Sequence, residues 1–317
     1  MPDNTIILAG GSGFLGQALS RHFTALGWSV VIFTRRLTGR ASPAIEVLWD
    51  GATLGPWATE LEGAHTLINL TGRSVDCRYT AANRRILIDS RILPTRVLGQ
   101  AIALCKKPPL NWFNASSATI YRHTLDRGWD ETATDFAPTP EAKDAFSLEI
   151  IHAWEREFEA APTPHTRKVA LRTSMVLGHA TNSVFPVLRR LTRLGLGGRM
   201  GSGRQFVSWL HERDFCRAIE WLVAHPELAG PVNICAPEPL TNAEMMQLFR
   251  RVVGMPFGLP AERWMLEIGA FFLRTETELI LKSRRVLPGK LLSSGFTFEF
   301  PTFRSALEDL AMRTSDP

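Results

Sequence analysis

The chain has 317 residues, 45% of them hydrophobic and 21% charged, which suits one large α/β domain or a domain with a smaller lobe in an ordinary soluble globular chain. Its formal charge of +5 comes from scattered pairs (Arg35-Arg36, Arg84-Arg85, Lys106-Lys107, Arg189-Arg190, Arg284-Arg285), which argues against a nucleic-acid-binding tract and favours attraction for a polyanionic small molecule. The four cysteines are far apart without a CxxC pair, which argues against a disulfide framework or a metal site.

TIILAGG (5–11) is a short apolar run ending in glycine, as a buried parallel strand should be. The next stretch places Phe14, Leu15, Ala18, Leu19, Phe23 and Leu26 at helical spacing, closed by Gly27. WSVVIFT (28–34) is a second β-rich run, so the first thirty-odd residues make a βαβ unit. IEVLW (45–49) and HTLINL (65–70) predict strands, a helix covers about 81–104, and NWFNASS (111–117) and KVALRTS (168–174) predict two more strands. Between those two, DAFSLEIIHAWERE (144–157) is an amphipathic helix.

Strands alternating with helices predict an α/β fold, a Rossmann-like doubly wound parallel sheet. After residue 178 a helix (184–194) leads into the glycine-rich GLGGRMGSGRQF (195–206), which is expected to form a mobile lid. A strand-like VSWL, a helix over about 212–224, the strand PVNIC and two or three helices within 241–285 follow. The expected division is a dinucleotide-binding domain over 1–178, with about 206–236 returning to it, and a smaller, mainly helical C-terminal lobe over 179–317. No apolar run approaches the roughly 20 residues of a bilayer span, and the N-terminus lacks the basic start of a secretory signal. A cytoplasmic chain with no membrane and no nucleic-acid partner is expected, as a monomer or homodimer.

AGGSGFLG sets glycines at 10, 13 and 16 between a strand and a helix. Gly10 allows the tight turn, Gly13 lets backbone approach a pyrophosphate, and Gly16 lets helix pack on strand; Gly11, Ser12, Phe14 and Leu15 complete the turn. The plain alternative is a glycine-rich turn of another α/β protein. An NAD site carries an acidic residue after the second strand, yet residues 5–45 contain no Asp or Glu and the strand runs into Thr34, Arg35 and Arg36. Guanidinium groups there suit a 2′-phosphate, so NADP(H) is the expected cofactor, against two merely solvated arginines.

NLTG (69–72), SSATIY (116–121), SWLHERD (208–214) and PVNICAPEPLTNAEM together resemble the extended short-chain dehydrogenase/reductase superfamily over nearly the whole chain. The resemblance implies that Leu70, Thr71 and Gly72 lie against adenine and ribose, and that Ser117 holds the catalytic serine position. Ser90-Arg91, LRTSMVLG (171–178), GRMGSGRQFVSWLH (198–211) and RRVLPGKLLSSGFTFEFPTFRSALEDL are similar to a narrower subgroup. Its members are labelled NAD-dependent epimerase or nucleoside-diphosphate-sugar epimerase and are related to human short-chain dehydrogenase family 39U member 1. That subgroup has its own C-terminal part, here 256–317, and implies NADP contacts near Thr34, Arg35, Leu70, Thr71, Arg91 and Val176. A helix-surface salt bridge is the alternative for Arg91.

In the superfamily a tyrosine moves the proton, and a lysine four residues on lowers its pKa. Here Tyr79 is followed at that spacing by Asn83 and Tyr121 by Leu125, so YxxxK is absent, and the helix at 144–157 carries Phe146 and Ile150 in its place. Ser117 and Tyr121 remain as catalytic candidates, with Glu131, Lys143, Asp144 and His152 within reach of the cleft; a buried structural tyrosine and a serine satisfying loop backbone are the plainer readings. Gln205, Trp209 and His211 are expected to form a substrate-side wall. HERDF lacks the second histidine of HExxH, GGSGF lacks the last glycine of a nucleophile elbow, and GKL lacks the hydroxyl residue of a P-loop. The expected function is an NADP(H)-dependent oxidoreductase or epimerase of atypical chemistry on an unknown small molecule. The alternative is a catalytically silent NADP(H) sensor or interaction protein.

Overall fold

All five residues of Thr5–Ala9 (β1) are buried, and a strand covered on both faces belongs in the middle of a parallel sheet. The computed structural model describes residues 4–39, 43–181, 183–273 and 276–313. After β1 come helix α1 (Phe14–Ala25), strands β2 (Ser29–Thr34), β3 (Ile45–Leu48) and β4 (Thr66–Asn69), helix α2 (Ala81–Leu104), strand β5 (Asn111–Ser117), helix α3 (Ala145–Ala160) and strands β6 (Arg167–Thr173) and β7 (Met175–Leu177). Helix α4 (Val184–Leu191), strands β8 (Phe206–Val207) and β9 (Trp209–His211), helix α5 (Glu212–Ala224) and strands β10 (Gly230–Ile234) and β11 (Leu240–Thr241) follow. The chain ends in helices α6 (Asn242–Val253), α7 (Arg263–Leu273), α8 (Glu278–Leu281), α9 (Gly289–Ser293) and α10 (Phe303–Met312). None of the described helices is long and apolar enough to cross a membrane.

Seven strands form one parallel sheet in the order β10-β6-β5-β4-β1-β2-β3. Alternate residues go to opposite faces. Ile6, Leu8, Val30, Ile32, Ile68 and Val232 pack with side chains of α1, α5, α6 and α10. Ile7, Val31, Phe33, Leu67 and Trp112 pack on the other side with α2, Phe158 of α3 and the Trp49–Trp57 pair. The sheet is therefore the expected Rossmann-like one, with a helical C-terminal region whose last helix, α10, packs back onto it.

Several element ends have local causes. The first strand stops at Ala9 because Gly10 turns left-handed, with φ +75°. Helix α1 closes on Gly27, whose N–H reaches Thr24 O while Trp28 N–H reaches Phe23 O, a Schellman stop. Thr241 and Glu244 cap α6 reciprocally. The predicted helix over 184–194 is α4 followed by a wide turn, Thr192–Leu196, broken at Gly195.

The glycine-rich 195–204 segment corrects the expectation of a mobile lid, because it is packed. Its backbone runs beside residues 257–261: Leu259 N–H donates to Gly195 O at 2.8 Å, Ala261 N–H to Arg199 O at 2.9 Å and Gly201 N–H to Ala261 O at 2.7 Å. Glycine is needed for close approach, since a Cβ on Gly198 would fall inside the Leu259 carbonyl. A Gly198→Ala substitution is expected to cost about 1–3 kcal/mol in chemical denaturation; an unpacked lid would absorb the methyl without change.

Candidate functional site

The strand order reverses between β1 and β4, and in open α/β sheets the crevice beyond the carboxyl ends at such a point is where ligands bind. The turn after β1 fills one wall of it. A Cβ on Gly10 would press on Thr71 at 3.1 Å, one on Gly11 on Leu8 at 2.8 Å, and one on Gly16 inside the Gly11 backbone. A Cβ on Gly13 would meet only Gly10 O, at 3.7 Å. Three glycines are thus needed for packing, and the fourth leaves open room in front of α1. No side chain caps the first turn of that helix and no acidic residue lies in it, so its N–H groups and positive dipole end face the crevice. Ser12 is exposed, Phe14 and Leu15 are half-buried, and the Phe14 ring lies against Gly178, two residues beyond Val176 on β7.

At the end of β2, Thr34 is buried and bonded to Arg36 through its hydroxyl. Arg35 and Arg36 are exposed and their side chains have no ion pair among the described residues. Glu46, on neighbouring β3, is held by the N–H and hydroxyl of Thr38 at 2.7 and 2.8 Å. On the other side of β1, buried Asn69 fixes the Leu70-Thr71-Gly72 loop. It accepts from Thr71 N–H and Oγ1 and donates to Asn114 and Thr95. Arg91 donates to Leu87 O and Arg73 O and sits over the Trp154 ring, without a carboxylate partner among the described residues. Burial lowers its pKa to about 10. The surface-salt-bridge alternative for Arg91 does not describe this geometry.

The site end at α3 is closed rather than open. Phe146 and Ile150 lie in an apolar cluster with Leu87, and Tyr79 meets the Phe146 ring edge-on at 4.8 Å. The Tyr79 hydroxyl is buried beside Ser147 and Glu278 without reaching hydrogen-bond geometry to a partner among the described residues. Burial raises its pKa to about 12. Segment 276–286 covers this region: Ser147 donates to Glu278 at 2.6 Å, Arg284 to Thr119 Oγ1 at 2.9 Å, and Lys282 to Thr119 O at 2.6 Å. Asp144 and Lys282, both fully buried, pair at 2.7 Å. Burial pushes the Glu278 carboxyl up and the Lys282 amine down.

The catalytic candidates separate. Ser117 is half-buried and accepts from Thr119 N–H at the end of β5. Tyr121 is 1% exposed, donates to Asn233 Oδ1 at 2.7 Å and accepts from Arg172 at 3.1 Å, and burial raises it to about 12. Arg172 in turn pairs with Glu155, which also takes the Ser116 hydroxyl. Glu131 accepts the Asn233 and Lys290 N–H groups, and Lys143 reaches Glu267 on α7.

The three residues expected on the substrate wall are core groups. Trp209 is sealed against Phe303 and donates to Glu238 O. Gln205 donates to Met200 O, and fully buried His211 caps α5 through Nδ1 with Nε2 3.2 Å from Asp309. The residues missed from sequence are Tyr79, Ser147, Glu278, Lys282 and Arg284; the clustered charges of ETELILKSRRV (276–286) were the only local signal for the last three. A groove of about 680 Å³ lined by Pro162, Thr163, Arg167 and Lys168 lies at the opposite end of β6 and β10. Its Arg167 is already bonded to the Leu222, His225 and Leu228 carbonyls, so it is no rival site.

A glycine-lined turn at the reversal of a seven-stranded parallel sheet places the chain in the Rossmann-like class. The chain belongs to the NAD dependent epimerase/dehydratase family, whose model it matches over residues 6–235, and residues 263–310 match a domain of unknown function. It is similar to the epimerase family protein Mb2239 of Mycobacterium bovis, 34% identical over 310 residues and 97% of each chain. It is also similar to YfhF of Bacillus subtilis, 30% identical over 308 residues, 96% of this chain and 97% of that protein. The crystal structure of human epimerase family protein SDR39U1 (isoform 2) with NADPH superposes with a TM-score of 0.82 at 26% identity, covering 97% of this chain and 99% of that one. UDP-N-acetylglucosamine 4-epimerase from Bacillus cereus shares the fold at a TM-score of 0.75 and 18% identity, over 98% of each chain. The sequence resemblance, with its separate C-terminal part and its link to human SDR39U1, therefore holds.

Burial lowers the His211 pKa to about 4 even beside Asp309. In the unfolded chain it returns to about 6.5, so as pH falls the unfolded state takes up the proton first. The contribution is fully present above about pH 7 and is lost progressively toward about pH 4. Denaturant midpoints at pH 7 and 5 are expected to show this decline, and His211→Asn, which keeps a cap for Arg213 N–H, is expected to flatten it.

Proposed function

We propose that the chain binds NADP(H) at the β1–β4 crevice, with the phosphates on the glycine turn and α1. Arg35 and Arg36 take the 2′-phosphate, and Leu70, Thr71 and Gly72 flank the adenosine end. The observation that carries this reading is the pair of exposed arginines at the end of β2, without an ion pair among the described residues and with no carboxylate on the turn. The human relative solved with NADPH supports it. Arg91 adds a partly buried cation on the same side, and Val176 lines the far edge.

When bound, NADP(H) supplies or accepts a hydride at its nicotinamide. The chain's own part is to orient a small-molecule carbonyl or alcohol and to handle a proton. We assign Tyr121 to structure, because its hydroxyl is bonded on both sides within the core. Ser117 orients the substrate oxygen, and Tyr79 brings a phenol to the place where α3 has Phe146. The second reading, a catalytically silent NADP(H) sensor, draws on the absence of a lysine one turn from either tyrosine and on a Tyr79 phenol held near 12.

Replacing Arg35 with Ala is expected to weaken NADPH binding about ten- to a hundredfold, or about 1.5–3 kcal/mol, with little effect on NADH. Equal losses for both cofactors would sink the 2′-phosphate role. For the reaction, NADPH oxidation against a panel of carbonyls and sugar nucleotides is expected to be abolished by Ser117→Ala and Tyr79→Phe. Tyr121→Phe should instead lower stability and spare turnover. NADPH that co-purifies stoichiometrically and is oxidised by none of the panel establishes the sensor reading instead.

A further inference from the structure

The packed glycine segment and its neighbour carry a surface that the cofactor site does not use. Leu194, Leu196, Phe257, Leu259, Trp264 and Ile268 are all large, apolar and 47–65% exposed. The backbone bonds between residues 195–201 and 257–261 lay the segment that carries Leu196 beside the one that carries Phe257 and Leu259. The Phe257 ring lies against Gly195, where a Cβ would come within 3.0 Å. Helix α7 then starts at Arg263 and presents Trp264 and Ile268 one turn apart. Scattered exposed apolar residues need no explanation, but six on two bonded segments and the helix that follows them mark an interaction surface.

The charge beside this strip is one-sided. Residues 160–211 contain no Asp or Glu, whereas Arg189, Arg190, Arg193, Arg199 and Arg204 fall within a stretch of 16 residues. Arg189, Arg190 and Arg193 form no ion pair among the described residues, and Arg189 feels Arg193 closely enough for its pKa to be lowered by that neighbour as well as by burial. The acidic groups at the border are neutralised: Glu262 pairs with Arg199, and Glu267 with Lys143 and Arg263. A second copy of the chain fits poorly, because a two-fold contact would set uncompensated arginines against each other.

We propose that this face docks the protein on the surface of an anionic membrane. Trp264, Phe257 and Leu259 enter the boundary between headgroups and acyl chains, and Arg189, Arg190 and Arg193 lie over the lipid phosphates. The expectation of no membrane partner follows from the length of apolar runs, which governs spanning and not surface attachment. Helix α7 is tied to the loop that enters α3 by Lys143–Glu267 and by Arg263 donating to Glu141 O. Docking therefore brings the α3 end of the candidate site near the lipid surface.

The test is co-sedimentation of the full chain with vesicles of phosphatidylcholine alone or with about one-third phosphatidylglycerol. Binding is expected to the anionic vesicles, to be at least tenfold weaker to the neutral ones, and to be lost at high salt. Arg190→Glu with Arg193→Glu, and separately Trp264→Ser, are expected to reduce binding about tenfold or more while leaving NADPH affinity and the thermal unfolding curve unchanged. A chain that stays in the supernatant with both vesicle types overturns the proposal, as does binding that neither variant weakens. Concentration-dependent dimerisation without lipid, abolished by Trp264→Ser, overturns it in favour of a second copy.

Discussion

An ammonium and a carboxylate, Lys282 and Asp144, meet at 2.7 Å with neither side chain reaching water. Taking either ion out of water alone costs several kcal/mol, so each makes the other tolerable there. Asp144 also accepts Thr139 N–H, and Lys282 donates to Thr119 O. One contact thus joins the start of α3, the turn after β5 and the C-terminal segment. The geometry around Ser117, Phe146 and Tyr79 depends on that joint, because the groups that border them are anchored to it. A single lost partner would strand a charge in the interior, which makes this point intolerant in a way that the exposed pairs elsewhere are not.

The two ends of the candidate site differ in kind. At α1 the backbone is bare, the side chains are missing where a ligand would lie, and Arg35 and Arg36 have no ion pair among the described residues. At α3 the space is occupied by aromatic rings and by ion pairs from the C-terminal segment. Family members that keep tyrosine and lysine on this helix have their proton chemistry in one element. Here the corresponding positions belong to a hydrophobic cluster, and polar groups reach the region from three separate parts of the chain.

That division explains what was legible in the sequence. The glycine turn, the buried strands and the arginines after β2 are local patterns whose physical reasons lie within a few residues, and they fall where the pattern predicts. Gln205, Trp209 and His211 are polar or aromatic residues around short strands, which reads as a substrate wall, and Tyr121 after β5 reads as a catalytic candidate. Their partners decide otherwise: Asn233 lies 112 residues beyond Tyr121 and Ile280 75 residues beyond Gln205. The glycines of 195–204 read as freedom of motion, but the same lack of side chains serves close packing once residues 257–261 arrive. Residue type reveals a need for a partner, not where it will be found.

The two faces of the sheet also differ in when they can be covered. One face draws its core from residues 7 to 170. The other needs Val232 and Ile234 of β10, Phe249 of α6, and finally Phe303, Leu307 and Leu310 of α10. During synthesis from the N-terminus, Ile6, Leu8, Val30 and Ile32 therefore remain without their full cover until the last helix has left the ribosome. A nascent chain therefore carries an apolar face without its full cover until α10 has emerged, and exposed surface of that kind is what makes folding intermediates prone to aggregate.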